Sequence, residues 1–225
     1  IDSDTTLTDN LYDSGFIDAR SGPVTFDAAG FTIDALGATS GIVVSGTFPV
    51  TIRNARSLIN CTVGITLSGS TDCTIEDMDV FAASVGILAD AAQRPTLRRT
   101  TIHTALTAFS LYGTDDLRLE SCTSGFFEIA LDLGNCRRAV LRGNELNTGR
   151  RGLLVATDFG ATVPRLEYHA HDVDASNLVN GAPVLYRVGA VGEVYEPDPS
   201  SGSFGSTTLV DCTGCTLRNS SNYYD

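Results

Sequence analysis

The 225-residue chain is 42% hydrophobic and 19% charged, with a formal net charge of −12. All fifteen basic residues are Arg, Lys is absent, and the acids divide into 20 Asp and 7 Glu. No basic patch is available to neutralise phosphates, which excludes nucleic acid as a partner, and no apolar run is long enough for a membrane-spanning helix. The acidic, lysine-free composition reads as adaptation to high salt, where a hydrated acidic surface keeps a protein in solution and screening relieves its self-repulsion.

Residues 1–40 read as opening turns. The stretch IDSDTTLTD alternates as a strand, and VTFDAAGFTIDALG offers Val24, Phe26, Phe31 and Ile33 as inward residues. Residues 41–157 then carry a fixed clock. A small-apolar-x-apolar pattern starts at Gly41, Gly64, Gly86, Ala108, Ala130 and Gly152, in steps of 23, 22, 22, 22 and 22 residues. A second apolar beat falls at Ile52, Ile75, Leu97, Leu119 and Leu141. A third falls at Leu58, Val80, Ile102, Ser124 and Leu146, with only the serine out of step. A period of this length signals a solenoid, and three strand-like beats per unit predict three short strands per coil. Each strand would pair in parallel with its copy one coil on. The fold class expected is therefore all-β, a single right-handed parallel β-helix.

Corners between strands need residues that tolerate left-handed backbone, chiefly Gly, Asn and Asp. Asn54, Asp77, Arg99, Ser121 and Gly143 stand at one such position, and three of the five suit it. A leucine-rich repeat is excluded because neither a leucine-dense consensus nor an asparagine ladder is visible. Residues 158–205 read as an insertion that breaks the clock and contains a hairpin, SNLVNGAPVLYRVG, around Asn180-Gly181. Residues 206–225 read as a final coil, with the beat resuming at Thr207–Leu209 and at Leu217, and with Asn219 at a corner.

These features resemble the NosD-type, carbohydrate-binding and sugar-hydrolase-like (CASH) β-helix proteins of archaeal surfaces. The resemblance is carried by SDTTLT at 3–8, VTFDAAGFTID at 24–34, the GI-x-L beats, and NLVNGAPVLYRV at 177–188 followed by TTLVDCTGCTLRN at 207–219. It implies the fold and an extracellular, cell-surface location. It does not fix an activity, because one fold hosts enzymes, binding modules, metal-site maturation factors and plain scaffold.

No catalytic constellation is visible. Asp115-Asp116 is the tempting carboxylate pair, but adjacent strand residues face opposite sides. Paired arginines such as Arg98-Arg99 and Arg137-Arg138 read as solvated charge balancing the acids. His169 and His171 lie on one side of an extended segment and form the candidate metal pair. The six cysteines show no zinc-type pattern and read chiefly as buried thiols. Asn60 and Asn219 open N-glycosylation sequons. Open coil ends would template further pairing, so Asp2, Thr6, Leu7, Leu217, Tyr223 and Tyr224 are the candidate assembly-edge residues. The function expected is a non-catalytic structural or adhesive surface protein needing no cofactor, with copies of itself or other surface components as partners and possible glycan contacts. A carbohydrate-binding or carbohydrate-active module is the alternative, and a metal-handling factor the third reading.

Overall fold

The computed structural model describes residues 1–225 apart from Asp2, Ser14, Arg20, Ser21, Ala105, 157–165 and 220–225. The described residues form strands stacked almost wholly in parallel, plus one 3-10 turn at Leu166–Tyr168. Each turn of the chain lays down three faces, and each face pairs with the same face of the next coil.

The second-beat residues form the column expected of them. Phe26 pairs with Ile52, Ile52 with Ile75, Ile75 with Leu97, Leu97 with Leu119, Leu119 with Leu141 and Leu141 with Val173. From Ile52 to Leu141 these side chains are no more than 1% exposed. The third face stacks Ile33, Leu58, Val80, Ile102, Ser124, Leu146 and Val179 in the same way. Ser124 keeps its place inside because its Oγ donates to Asn147 O at 3.2 Å and accepts from Asn147 N–H at 2.9 Å. On the first face, Ile42, Ile65, Ile87, Phe109, Leu131 and Leu153 continue the pattern. Phe31, expected inside, is only half-buried.

Small residues open the first-face beat because the coil closes on itself there. A Cβ at Gly64 would lie 2.4 Å from the Gly86 carbonyl oxygen and 2.4 Å from Val80 Cγ1, the third-beat residue of its own turn. Gly41 and Gly86 meet Leu58 and Ile102 in the same manner.

The corners differ from expectation in an instructive way. All five residues of the predicted corner column are left-handed, Arg99 (φ 47°) and Ser121 (φ 54°) included. Two more columns share this backbone: Gly69, Ala91, Gly113 and Asn135, and then Asp72, Arg94, Asp116 and Arg138. A left-handed L-residue costs roughly 1–2 kcal/mol, so side-chain type alone did not reveal these sites. The backbone ladder offsets the cost. Arg94 N–H donates to Asp115 O (2.8 Å), Arg99 N–H to Glu120 O (3.0 Å) and Ser121 N–H to Arg142 O (2.9 Å), each one coil on.

The ladder also reaches into the stretch 158–205 that was expected to be a single insertion. Val140 and Leu141 pair with Asp172 and Val173, and Glu145 and Leu146 pair with Leu178 and Val179. The step widens here to 32 and 33 residues, which hid the coil from a 22-residue reading. A short asparagine ladder accompanies it: Asn144 Nδ2 donates to Asn177 Oδ1 at 2.7 Å, and Asn177 Nδ2 donates to Leu141 O at 2.8 Å.

At Asn180-Gly181 (φ 51° and 79°) the chain reverses through the expected hairpin, pairing Val179 with Ala182 in antiparallel sense. The 22-residue clock then restarts. Val184–Val188 pairs in parallel with Ser206–Val210, and Val194–Tyr195 with Thr216–Leu217. Their burial differs, however. Leu209 is 38% exposed, whereas Leu111 at the matching place in a regular coil is 1% exposed. The beat thus resumes in the expected 22-residue pitch, but without the burial of the regular coils.

Leu97→Ala should lower unfolding free energy by about 2–5 kcal/mol, the range for buried Leu truncation. Denaturant melts of the two proteins measure it, and a loss under about 1 kcal/mol would contradict the inward column.

Candidate functional site

Three places concentrate polar chemistry: the arginine–carboxylate ladder along one side, the histidine-bearing segment beneath the hairpin, and a cleft beside the reversed coils.

The paired arginines are not merely solvated. Arg94 bonds Asp72 through Nε and Nη2 at 2.7 and 2.8 Å, Arg99 bonds Asp77 at 2.7 and 2.8 Å, and Arg138 bonds Asp116 at 2.6 and 2.8 Å. Arg98 reaches Glu76, Arg137 reaches Asp115, and Arg150 reaches Glu128. In each case the arginine stands 22 residues after its acid, so the coil repeat is also a charge repeat. The signal for these pairs in the sequence is an acid followed 22 residues later by Arg, which net charge and adjacent pairs do not reveal. Both carboxylates of Asp115-Asp116 are engaged by these arginines. The guanidinium bonds hold Asp72, Asp77 and Asp116 below the usual carboxylate pKa. A flat fork grips a carboxylate with two bonds where an ammonium makes a point contact, which favours Arg over Lys at these positions.

His171 continues the inward column through Ala139 and is 9% exposed. Its Nδ1 accepts the Ala139 N–H at 3.2 Å, which leaves the neutral ring's proton on Nε2. The Tyr186 ring stands 6.0 Å away, and Tyr186 Oη donates to the His169 carbonyl at 2.6 Å. His169 Nδ1 and His171 Nε2 are both buried without a protein partner. The two histidines therefore sit close in the chain beneath the hairpin, yet no group of three or more metal-ligating side chains is gathered among the described residues. Burial pushes the pKa of His171 down to about 4 and lowers that of His169.

A cleft of about 800 Å³ separates the end of the regular stack from the reversed coils. Arg150, Arg151 and Thr148 stand on one wall, and Ser201, Ser203 and Phe204 on the other. It exists because Val184–Val188 pairs with Ser206–Val210 rather than with Gly152–Ala156. The Asn180 side chain closes its base, accepting the Thr148 N–H at 2.8 Å and donating to the Thr148 carbonyl at 3.0 Å.

All six cysteines are free. Burial raises the thiols of Cys61 to about 11 and of Cys122 and Cys136 to about 12, and it also raises Cys73. Such thiols are poor nucleophiles. Cys212 and Cys215 are half-buried. Asn60 is exposed, with its Nδ2 donating to Asp34 Oδ1 at 2.9 Å, and Asn219 Nδ2 donates to Glu196. Of the edge candidates, Thr6 is exposed, Leu7 packs against the core and Leu217 is half-buried. Asp2, Tyr223 and Tyr224 lie outside the described residues.

Parallel coils with three inward columns define a β-helix solenoid. The model of the family described as the right-handed β-helix region matches residues 40–170, more than half of the chain, and the protein belongs to that family. Neither the curated proteins nor the solved structures contain a match to it. No helix among the described residues is long and apolar enough to cross a membrane.

The depressed pKa of His171 sets a pH window. The unfolded ring titrates near about 6.5, so the full stability is present above that value and is lost as pH falls toward about 4. Urea midpoints should therefore drop more between pH 7.5 and pH 4.5 for the native protein than for His171→Gln, which keeps an acceptor for Ala139 N–H. Equal drops would show that His171 is not the titrating group.

Proposed function

We propose that the protein is a non-catalytic structural unit of the cell exterior that associates end to end into an extended assembly. The observation that carries this reading is the last coil. Ser206–Val210 and Thr216–Leu217 are paired on one edge, and among the described residues no strand covers the other. Exposed apolar side chains surround these coils: Val191 at 75%, Val194 at 53% and Leu209 at 38%. At the opposite end, among the described residues, Thr5–Thr6 and Gly15–Ala19 likewise pair on one edge. A head-to-tail contact that does not close on itself makes a filament, and strand edges supply its backbone bonds. The acidic surface opposes such contact in dilute buffer, and salt screens that repulsion.

Light scattering and electron microscopy across a KCl series test this. Extended particles should grow with salt, and the variant carrying Val191→Asp and Leu209→Lys should remain small. A single-copy particle of the native chain at every salt concentration would sink the proposal.

A carbohydrate-binding role is the second reading, favoured by the cleft that combines Arg150 and Arg151 with serine hydroxyls and Phe204. Such a mixture of an apolar wall and a few convergent polar groups is the usual make-up of a ligand site. Calorimetry with neutral and uronate-bearing oligosaccharides should show binding that Arg151→Ala weakens at least tenfold. Failure of every oligosaccharide to bind at millimolar concentration would remove this reading.

A further inference from the structure

Asn60, Cys61 and Thr62 stand where the third face turns into the first. Asn60 is left-handed (φ 59°). Asn60 and Thr62 are exposed, and Cys61 between them is 5% exposed. This alternation puts the acceptor amide and the threonine hydroxyl on the same outer side, the relation an Asn-x-Thr sequon requires. The Asn60 amide nitrogen carries two hydrogens. One is donated to Asp34 Oδ1 at 2.9 Å, and an N-glycosidic bond replaces only one, so the modified amide still carries a hydrogen to donate.

The surface beside Asn60 supplies a second, independent observation. A shallow pocket of about 770 Å³ is lined by Asn60 itself with Ile59, Phe81, Ala82, Ala83 and Leu106. Leu106 is 57% exposed. The half-buried Phe81 ring lies flat against His103, with centroids 4.2 Å apart and planes 7° from parallel. The pocket thus sets an apolar wall directly beside the Asn60 amide. A sugar ring presents an apolar C–H face together with polar rims, and its attachment atom would already be at the pocket's edge. At the other sequon, Ser221, the third residue of the triplet that Asn219 opens, lies outside the described residues.

We propose that Asn60 is an N-glycosylation site whose first sugar, a pyranose such as N-acetylhexosamine, packs into the Phe81–Leu106 pocket. The donor class is a lipid-diphosphate-linked oligosaccharide. The Asn60 nitrogen forms a bond to sugar C1, the C1–O bond to the diphosphate breaks, the diphosphate leaves with the electron pair, and the amide gives up one proton.

The test uses the full chain secreted through an N-glycosylating eukaryotic pathway, which reads acceptor competence independently of where the protein is normally made. Peptide mass mapping should find a glycan on Asn60, removed by amidase with conversion to Asp, and absent from both Asn60→Gln and Thr62→Val. A secreted, cooperatively melting protein with unmodified Asn60 would overturn the site. Packing is read separately. The glycosylated native protein should melt several degrees above the unmodified Thr62→Val variant, which keeps Asn60 and its bond to Asp34, and the gap should vanish when both carry Leu106→Asp. An equal Tm for the glycosylated protein and Thr62→Val would overturn the pocket assignment while leaving the modification established.

Discussion

Pairing of each coil with the next is the constraint from which the remaining features follow. A strand that bonds in parallel to its own copy must present the same kind of side chain at the same place, so the core is a set of columns rather than a cluster of scattered residues. That demand produces the aliphatic stacks at Ile52–Leu141 and the small residues at Gly41, Gly64 and Gly86, where a Cβ would strike the following coil. It also explains the left-handed corners. Three columns of such residues bend the chain, and where Arg or Ser stands in them the hydrogen bond to the neighbouring coil offsets the backbone cost.

The same repeat organises the charge. Because a residue and its counterpart one coil on are close in space, an acid followed 22 residues later by Arg makes a two-bond contact along the stack. Exposed pairs of this kind each contribute little, because water and salt screen them. They also favour the observed register, since a one-coil displacement would bring Asp72 beside Asp116 and Glu76 beside Glu120. The fork geometry accounts for part of the preference for Arg in a chain with no Lys. Solvation at the remaining arginines is governed by the acidic surface as a whole.

The hairpin at Asn180-Gly181 changes what the molecule can present. It reverses the chain, drops Tyr186 and Val184 onto the end of the regular stack, and starts two coils of opposite run with poorly buried faces. One consequence is the cleft lined by Arg151 and Phe204. The other is an open edge bearing Val191 and Leu209. The cleft and this open edge therefore both arise at the one reversal.

Sequence alone determined the solenoid, its three faces, the inward residues of the regular coils and the hairpin turn, because each of these is enforced locally or by a strict period. Ile52, Ile75, Leu97, Leu119 and Leu141 could be aligned by counting. The acid–arginine pairs such as Asp72 and Arg94 follow the same 22-residue count. Tertiary structure decided the rest. The coil through Val173 and Val179 was hidden by a step of 32 and 33 residues. The placement of His171 inside the column depends on that coil. The exposure of Leu209 comes from its place in the last coil, which pairs on one edge among the described residues. Left-handed Arg99 and Ser121 are stabilised by carbonyls one coil away. A period specifies what repeats, but where the chain leaves the period its partners are set by contacts distant in sequence, and only the folded molecule brings those together.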